Sequence, residues 1–293
     1  MARTNSNDIF LRNEKQKELL FEAIINSGKI NLFQKKIKTS KHNAAIKKPI
    51  WVMLAIFAIS GIGIFFIVNT LQVDEFPHMK TGYDVQNLRG DTVDTWLTWR
   101  IPNDDLFHVH VEKSDLLTDE MIQAIFDVIM SWDSIEIDDS LQHKGPSGYS
   151  STYYKGWYGA LQSISNDTTF TIPQNLHFNI TEKEDGDILI FLTERSSPDG
   201  YSGYTTSIVD ENDHQILKSK ITIYNADKLS IEELKTIVRH ELGHGFGLAH
   251  SSAPEDLMYP VIETDYPYIS ECDIDAIVAL YDGSNNSKVI CSK

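Results

Sequence analysis

Residues 240 to 250 read HELGHGFGLAH, and this stretch constrains the fold more than any other in the chain. Three of the ten histidines stand here beside a carboxylate and three glycines. On a helix His240 and His244, four residues apart, lie one turn above the other on one face, where two imidazoles can chelate a single metal ion. Glu241 is angled partly aside from that face, so its carboxylate can reach a water on the metal instead of the metal, the position of a general base. Gly245 and Gly247 weaken the helix after His244, and Gly247 can take a positive φ, so the chain can turn and return His250 as a third ligand. Three neutral nitrogens leave the fourth tetrahedral position of Zn²⁺ to water, the arrangement of a catalytic site and not of a closed structural one. Any fold of this chain must therefore end a helix here and bring a loop back beneath it.

The helix start is also written locally. Ser230-Ile231-Glu232-Glu233 has the capping-box form and opens a helix through Leu234, Ile237 and Val238. Upstream, Trp96 to Ile101 and the alternating FHVHV after Phe107 read as strands, and Thr118 caps a helix with the apolar stripe Met121, Ile122, Ile125, Phe126, Ile129 and Met130. A Gly/Ser/Tyr-rich loop spans roughly 143 to 160. Strand signals then recur at 176 to 180, 188 to 193, 202 to 209 and 220 to 224. The fold class implied is α+β, a twisted mixed sheet preceded and followed by helices.

Residues 50 to 68, IWVMLAIFAISGIGIFFIV, hold 19 positions without a charge, long enough to cross a bilayer as a helix. A cleaved leader fits poorly, because 49 residues precede the run and no small-x-small site follows it. Residues 1 to 49 carry 11 Lys plus Arg against four acidic residues, while 70 to 293 carry 15 basic and 38 acidic residues. By the positive-inside rule the basic arm stays in the cytoplasm and the acidic part lies outside the cell. Nucleic acid is excluded as a partner of the outer part, which has no concentrated positive face. The expected organisation is a basic cytoplasmic arm at 1–49, one transmembrane helix at 50–68, a stalk or pre-domain segment at 69–94, a catalytic domain at 95–283 and a tail at 284–293. Cys272 and Cys291 both fall on the outer side, where a disulfide between last helix and tail can form.

HELGHGFGLAH followed by Asp256-Leu257-Met258-Tyr259-Pro260 resembles the metzincin metalloproteases, and the LMYP form is similar to their matrixin branch. SECDIDAIVALYDG at 270 to 283 is similar to the last helix of matrixin catalytic domains, and LTWRIP at 97 to 102, the helix from 118 and ILIFLT at 188 to 193 fall in the matching order. The resemblance implies that His240, His244 and His250 bind one catalytic Zn²⁺, that Glu241 is the base, and that Met258 is the Met-turn residue flooring the metal. It implies an edge strand that pairs with extended substrate, for which the counterpart by order is 202 to 209, with Tyr204, Thr205, Thr206 and Ser207 at its centre. The loop from Val261 to Pro267 would shape the pocket beside the scissile bond.

Departures from that family also carry expectations. Between Asp185 and Tyr224 the only histidine is His214, so the extra structural zinc site of many matrixins is expected to be missing. No cysteine precedes the catalytic motif, so a cysteine-switch type of latency is absent. His108 and His110 share one face of a strand but lack a third partner in the sequence, and read as ordinary exposed or packed residues. The run Asp210-Glu211-Asn212-Asp213 is a candidate Ca²⁺ site without EF-hand spacing. The expected function is a membrane-anchored zinc endopeptidase acting on extracytoplasmic proteins or peptides. The alternatives are a non-catalytic zinc-containing peptide-binding module and a zinc hydrolase of a non-protein amide. Oligomeric state is not encoded in any of these features.

Overall fold

The β-branched and aromatic runs of the chain pair into one mixed sheet, and the two amphipathic helices cover one of its faces. The computed structural model describes residues 79–94, 97–101, 105–283 and 287–290. In chain order the strands are β1 Met79–Asn87, β2 Thr98–Trp99, β3 Phe107–Glu112, β4 Ser134–Asp138, β5 Ser150–Tyr154, β6 Leu176–Thr181, β7 Ile188–Leu192, β8 Gly203–Asp210, β9 Gln215–Ile223 and β10 Val261–Ile262. The helices are α1 Asp119–Met130, α2 Trp157–Gln162, α3 Ile231–Gly245 and α4 Glu271–Tyr281.

The main sheet runs β10-β1-β8-β9-β7-β3-β6, with β2 alongside β9 and a separate β4–β5 hairpin. β8 is antiparallel to β9, whereas β9, β7, β3 and β6 are mutually parallel. The register Val109↔Ile188, Val111↔Ile190 and Ile190↔Ile221 lines aliphatic side chains across strands on one face. Val109, Ile188, Ile190, Ile221 and Ile223 are fully buried there, as are Ile125 and Ile129 of α1 and Leu234, Val238 and Leu242 of α3. That common core holds α3 over the middle of the sheet, and α3 carries the histidine motif. Thr118 caps α1 by accepting from the Met121 amide, and Ser230 with Glu233 forms a complete capping box on α3.

Several expectations need correction. Part of the segment read as a stalk, 69–94, belongs to the sheet: β1 pairs in parallel with β8 from Thr81↔Gly203 to Asn87↔Val209, and antiparallel with β10. The expected strand at 202 to 209 is β8, Gly203–Asp210, but it has β9 on one side and β1 on the other, so it is no free edge. The Gly/Ser/Tyr-rich loop contains β5 and the short helix α2. Sequence periodicity missed β1 because MKTGYDVQN mixes polar and apolar residues, and its partner lies over a hundred residues away.

The acidic run closes the β8–β9 hairpin, where Asp210 accepts from the amide of Asn212 at 2.9 Å. Cys272 is disulfide-bonded. Among the described residues no helix is long and apolar enough to cross a membrane, and the run 50–68 lies outside them.

Candidate active site

The C-terminal half of α3 and its cap are held from three directions. Trp157 Nε1 donates to the Arg239 carbonyl at 2.8 Å, Trp99 Nε1 to the Gly245 carbonyl at 2.8 Å, and the Tyr281 hydroxyl to the Phe246 carbonyl at 3.2 Å. The last two are carbonyls that a helix end leaves without an intrahelical donor, so buried aromatic side chains from β2 and α4 fix where the helix stops, while Trp157 of α2 braces its middle. Beyond it Gly247 has φ +104°, and a Cβ there would come within 2.6 Å of the Leu97 carbonyl. Only glycine fits this turn, which returns the chain so that the rings of His244 and His250 lie 4.7 Å apart.

His240 Nε2 and His244 Nε2 are 3.0 Å apart. Each ring donates from Nδ1 to a backbone carbonyl, His240 to Leu257 at 2.6 Å and His244 to Leu248 at 2.8 Å, which leaves the Nε2 lone pairs for a ligand. The Nε2 of His250 is buried with no hydrogen-bond partner. Two nitrogens about 2.0–2.1 Å from a tetrahedral zinc lie roughly 3.3 Å apart, so the spacing and the orphaned nitrogen both fit zinc. Burial holds His240 down to about 3 and His250 to about 4, and burial with the neighbouring imidazoles holds His244 well below its usual value. All three are neutral at pH 7, the ligand form.

Glu241 is fully buried. Its Oε2 accepts from the Thr205 hydroxyl at 2.6 Å, and its Oε1 has no partner. Burial pushes the carboxyl well above the usual range, opposed by the Thr205 bond. Gly203 makes room for it, because a Cβ there would overlap the Glu241 carboxylate. Met258 is fully buried, and its sulfur occupies the space where a Cβ on Gly243 would stand, between the two helix histidines in sequence. The turn around it is tied by Met258 N to Asp256 Oδ1 at 3.0 Å and Ser251 N to the Met258 carbonyl at 2.8 Å.

Among the residues read as a substrate strand, Thr205 and Ser207 point to the helix side. Thr205 holds Glu241, and Ser207 Oγ lies 2.7 Å from Ser219 Oγ. β1 crosses the face of the site, with the Tyr83 ring 4.6 Å from that of His244 and 5.3 Å from that of His250. Beside β1, Thr81 N donates to the Pro260 carbonyl at 3.0 Å, so the strand lies between β8 and the segment that begins the 261–267 loop.

Arg239 was not singled out from sequence. It is buried, with Nε donating to the Lys155 carbonyl at 2.9 Å and Nη1 to the Pro267 carbonyl at 2.7 Å, and burial pushes it down to about 10. It anchors the end of the 261–267 loop to the residue preceding His240. An arginine inside a helix stripe carries no sequence mark of such a role.

A helix with two histidines one turn apart, a glycine turn, a returning third histidine and a methionine turn packed below form a group that could hold one metal ion, on an α+β fold. The Matrixin family model matches residues 105–282, and the chain belongs to that family. It is similar to matrix metalloproteinase-20 of Homo sapiens, 45% identical over 51 residues covering 16% of this chain and 11% of that protein. It is also similar to the neutrophil collagenase of Homo sapiens, 47% over 53 residues, 17% and 11% of the two chains. Matrix metalloproteinase-9 of Canis lupus familiaris is 48% identical over 46 residues, 15% and 6% of the two chains. The matched region is thus about a tenth or less of those relatives' length.

Proposed function

We propose that the protein is a zinc-dependent endopeptidase that cuts extracytoplasmic proteins or peptides, anchored by residues 50–68 with its N-terminus in the cytoplasm. One observation carries the catalytic part: three neutral imidazoles converge beside a buried carboxylate whose Oε1 has no other use. A pure zinc-binding module has no need of that carboxylate. Bound zinc supplies Lewis acidity to a water and to the scissile carbonyl. His240, His244 and His250 would hold the ion, the first two through the Nε2 nitrogens that their backbone contacts leave free. Glu241 takes a proton from the attacking water on Oε1 and passes it to the leaving amine, while Thr205 keeps the carboxylate from rotating away. The reading needs one ion, and the acidic hairpin at Asp210–Asp213 contributes no ligand to it.

In this reading β1 is a built-in competitor. It makes main-chain pairs with β8 and β10 where an extended substrate would lie, and Tyr83 covers two ligands. Activity then requires β1 to leave, which supplies the restraint that the missing cysteine switch does not. Charge asymmetry and the 19-residue apolar run support the anchor.

The test is hydrolysis of a mixed peptide library by the zinc-loaded full chain in detergent, by Tyr83→Ala, and by Tyr83→Ala with Glu241→Ala. Cleavage of internal peptide bonds that falls by about 10²–10⁴ without Glu241, at unchanged zinc content, is the expected result. Folded, zinc-loaded protein inert in all three forms would remove the protease reading, and cleavage only of non-peptide amides would replace the substrate class.

A further inference from the structure

β3 presents a second set of imidazoles on the face of the sheet away from the helices. Phe107, Val109 and Val111 are fully buried against the helical side, and His108 and His110 alternate with them and so stand on the other side. The parallel partner β6 places His177 directly opposite His108. This supplies the third histidine that the sequence reading of His108 and His110 lacked, from a strand 67 residues beyond His110. A one-residue shift in the pairing would have turned His177 to the opposite face.

The three rings form a compact trio. His108 Nδ1 and His177 Nδ1 are 3.3 Å apart, and one nitrogen from each of the three rings lies within 4.8 Å of the others. The 3.3 Å spacing equals that of two nitrogens on a tetrahedral zinc, by the same bond lengths of about 2.0–2.1 Å. A hydrogen bond between two neutral imidazoles would account for that pair alone. It would not account for His110, which is 7% exposed and whose Nε2 is buried with no partner.

His110 is built as a ligand is built. Its Nδ1 lies 3.0 Å from Asp185 Oδ1. A carboxylate on one ring nitrogen directs the lone pair of the other, the arrangement that orients metal-binding histidines. The loop bearing Asp185 is shaped for this contact. Gly186 has φ +100°, a Cβ on it would meet His110 Nδ1 at 2.9 Å, and Asp187 Oδ2 accepts from the His108 amide at 2.7 Å. His108 and His177 are half-buried, leaving the fourth position open to solvent.

We propose that His108, His110 and His177 form a second zinc site, separate from the centre on α3, that clips the outermost strand β6 to β3. The nitrogen-only ligand set and tetrahedral spacing select zinc over calcium or magnesium. The site shares no residue with the region between Asp185 and Tyr224 beyond Asp185 itself, which acts through His110.

The experiment is zinc per chain by mass spectrometry on the full chain in detergent, stripped of metal, reloaded with Zn²⁺ and desalted. Two ions are expected for the parent, one for His177→Asn, one for His240→Asn with His244→Asn, and none for the three changes together. His177 is half-buried, so the single variant tests the site without emptying the core; thermal melting in stripped buffer checks that it folds like the parent. Zinc at about 100 times its dissociation constant should raise the melting temperature of the double variant by about 5–11 °C, and not that of the triple. Asp185→Asn should weaken the second ion's binding by about 10–100-fold. One ion in the parent, or a count unchanged by His177→Asn, would overturn the proposal.

Discussion

Tyr83 is the residue through which β1 touches His244 and His250, so Tyr83→Ala distinguishes a displaceable strand from a permanent one. The ring stands 4.6 Å from His244 and 5.3 Å from His250. Aromatic pairs of this kind contribute roughly 0.5–1.5 kcal/mol each, so losing two weakens the covered state by about 2 kcal/mol, about 30-fold in its ratio to the open state. If substrate binds only where β1 has left, apparent affinity scales with the open fraction. KM for an extended peptide should then drop by about 30-fold while kcat stays within about twofold. The assay is initial rates on a quenched fluorescent peptide with zinc-loaded full chain, with zinc content measured in parallel. An unchanged KM, or a loss of kcat at constant KM, would refute the reasoning and make Tyr83 a support of the histidines.

Thr205→Val removes the hydroxyl that fixes Glu241 and keeps the shape, so kcat should fall by about 10–100-fold for a bond worth about 1.5–3 kcal/mol, with zinc content unchanged by metal analysis. Ser230→Ala deletes the capping box of α3 at a cost of about 1 kcal/mol, and calorimetry should show melting about 2–4 °C lower with activity at 25 °C intact. Asp273 is fully buried beside Asp256, and burial with that neighbour's charge raises its carboxyl well above the usual range. The folded chain thus holds a proton that the unfolded chain releases near pH 4, so this stabilisation is complete below about pH 3.9 and fades as pH rises through the raised value. Asp273→Asn keeps an acceptor for Ser270 and should flatten that decline; parallel melting curves from pH 4 to 8 for parent and variant would contradict the assignment.

What could be read from the chain alone is what lies within a helical turn or a strand's alternation. The capping box at Ser230, the pairing of His240 with His244, the turn at Gly247, and the strands from β6 to β9 all depend on residues a few positions apart. Their physics is local: helical repeat, positive φ, and a pleat that alternates faces. Membership of the matrixin family was legible for the same reason, because its motif is contiguous.

Register and burial across distant segments had to await the tertiary structure. β1 pairs with β8 over more than a hundred residues, and its mixed pattern carried no period to announce it. The Thr205 side chain meets Glu241, since β8 directs it toward α3. His177 joins His108 and His110 only through the β3–β6 register. Arg239, Asp256 and Asp273 acquire their shifted ionisation from being enclosed, which no spacing reveals. Local sequence writes which chemistry each residue offers; the packing of the core decides which of those residues meet, because the pairing energy of a sheet and the desolvation of a buried charge exist only once distant segments are brought together.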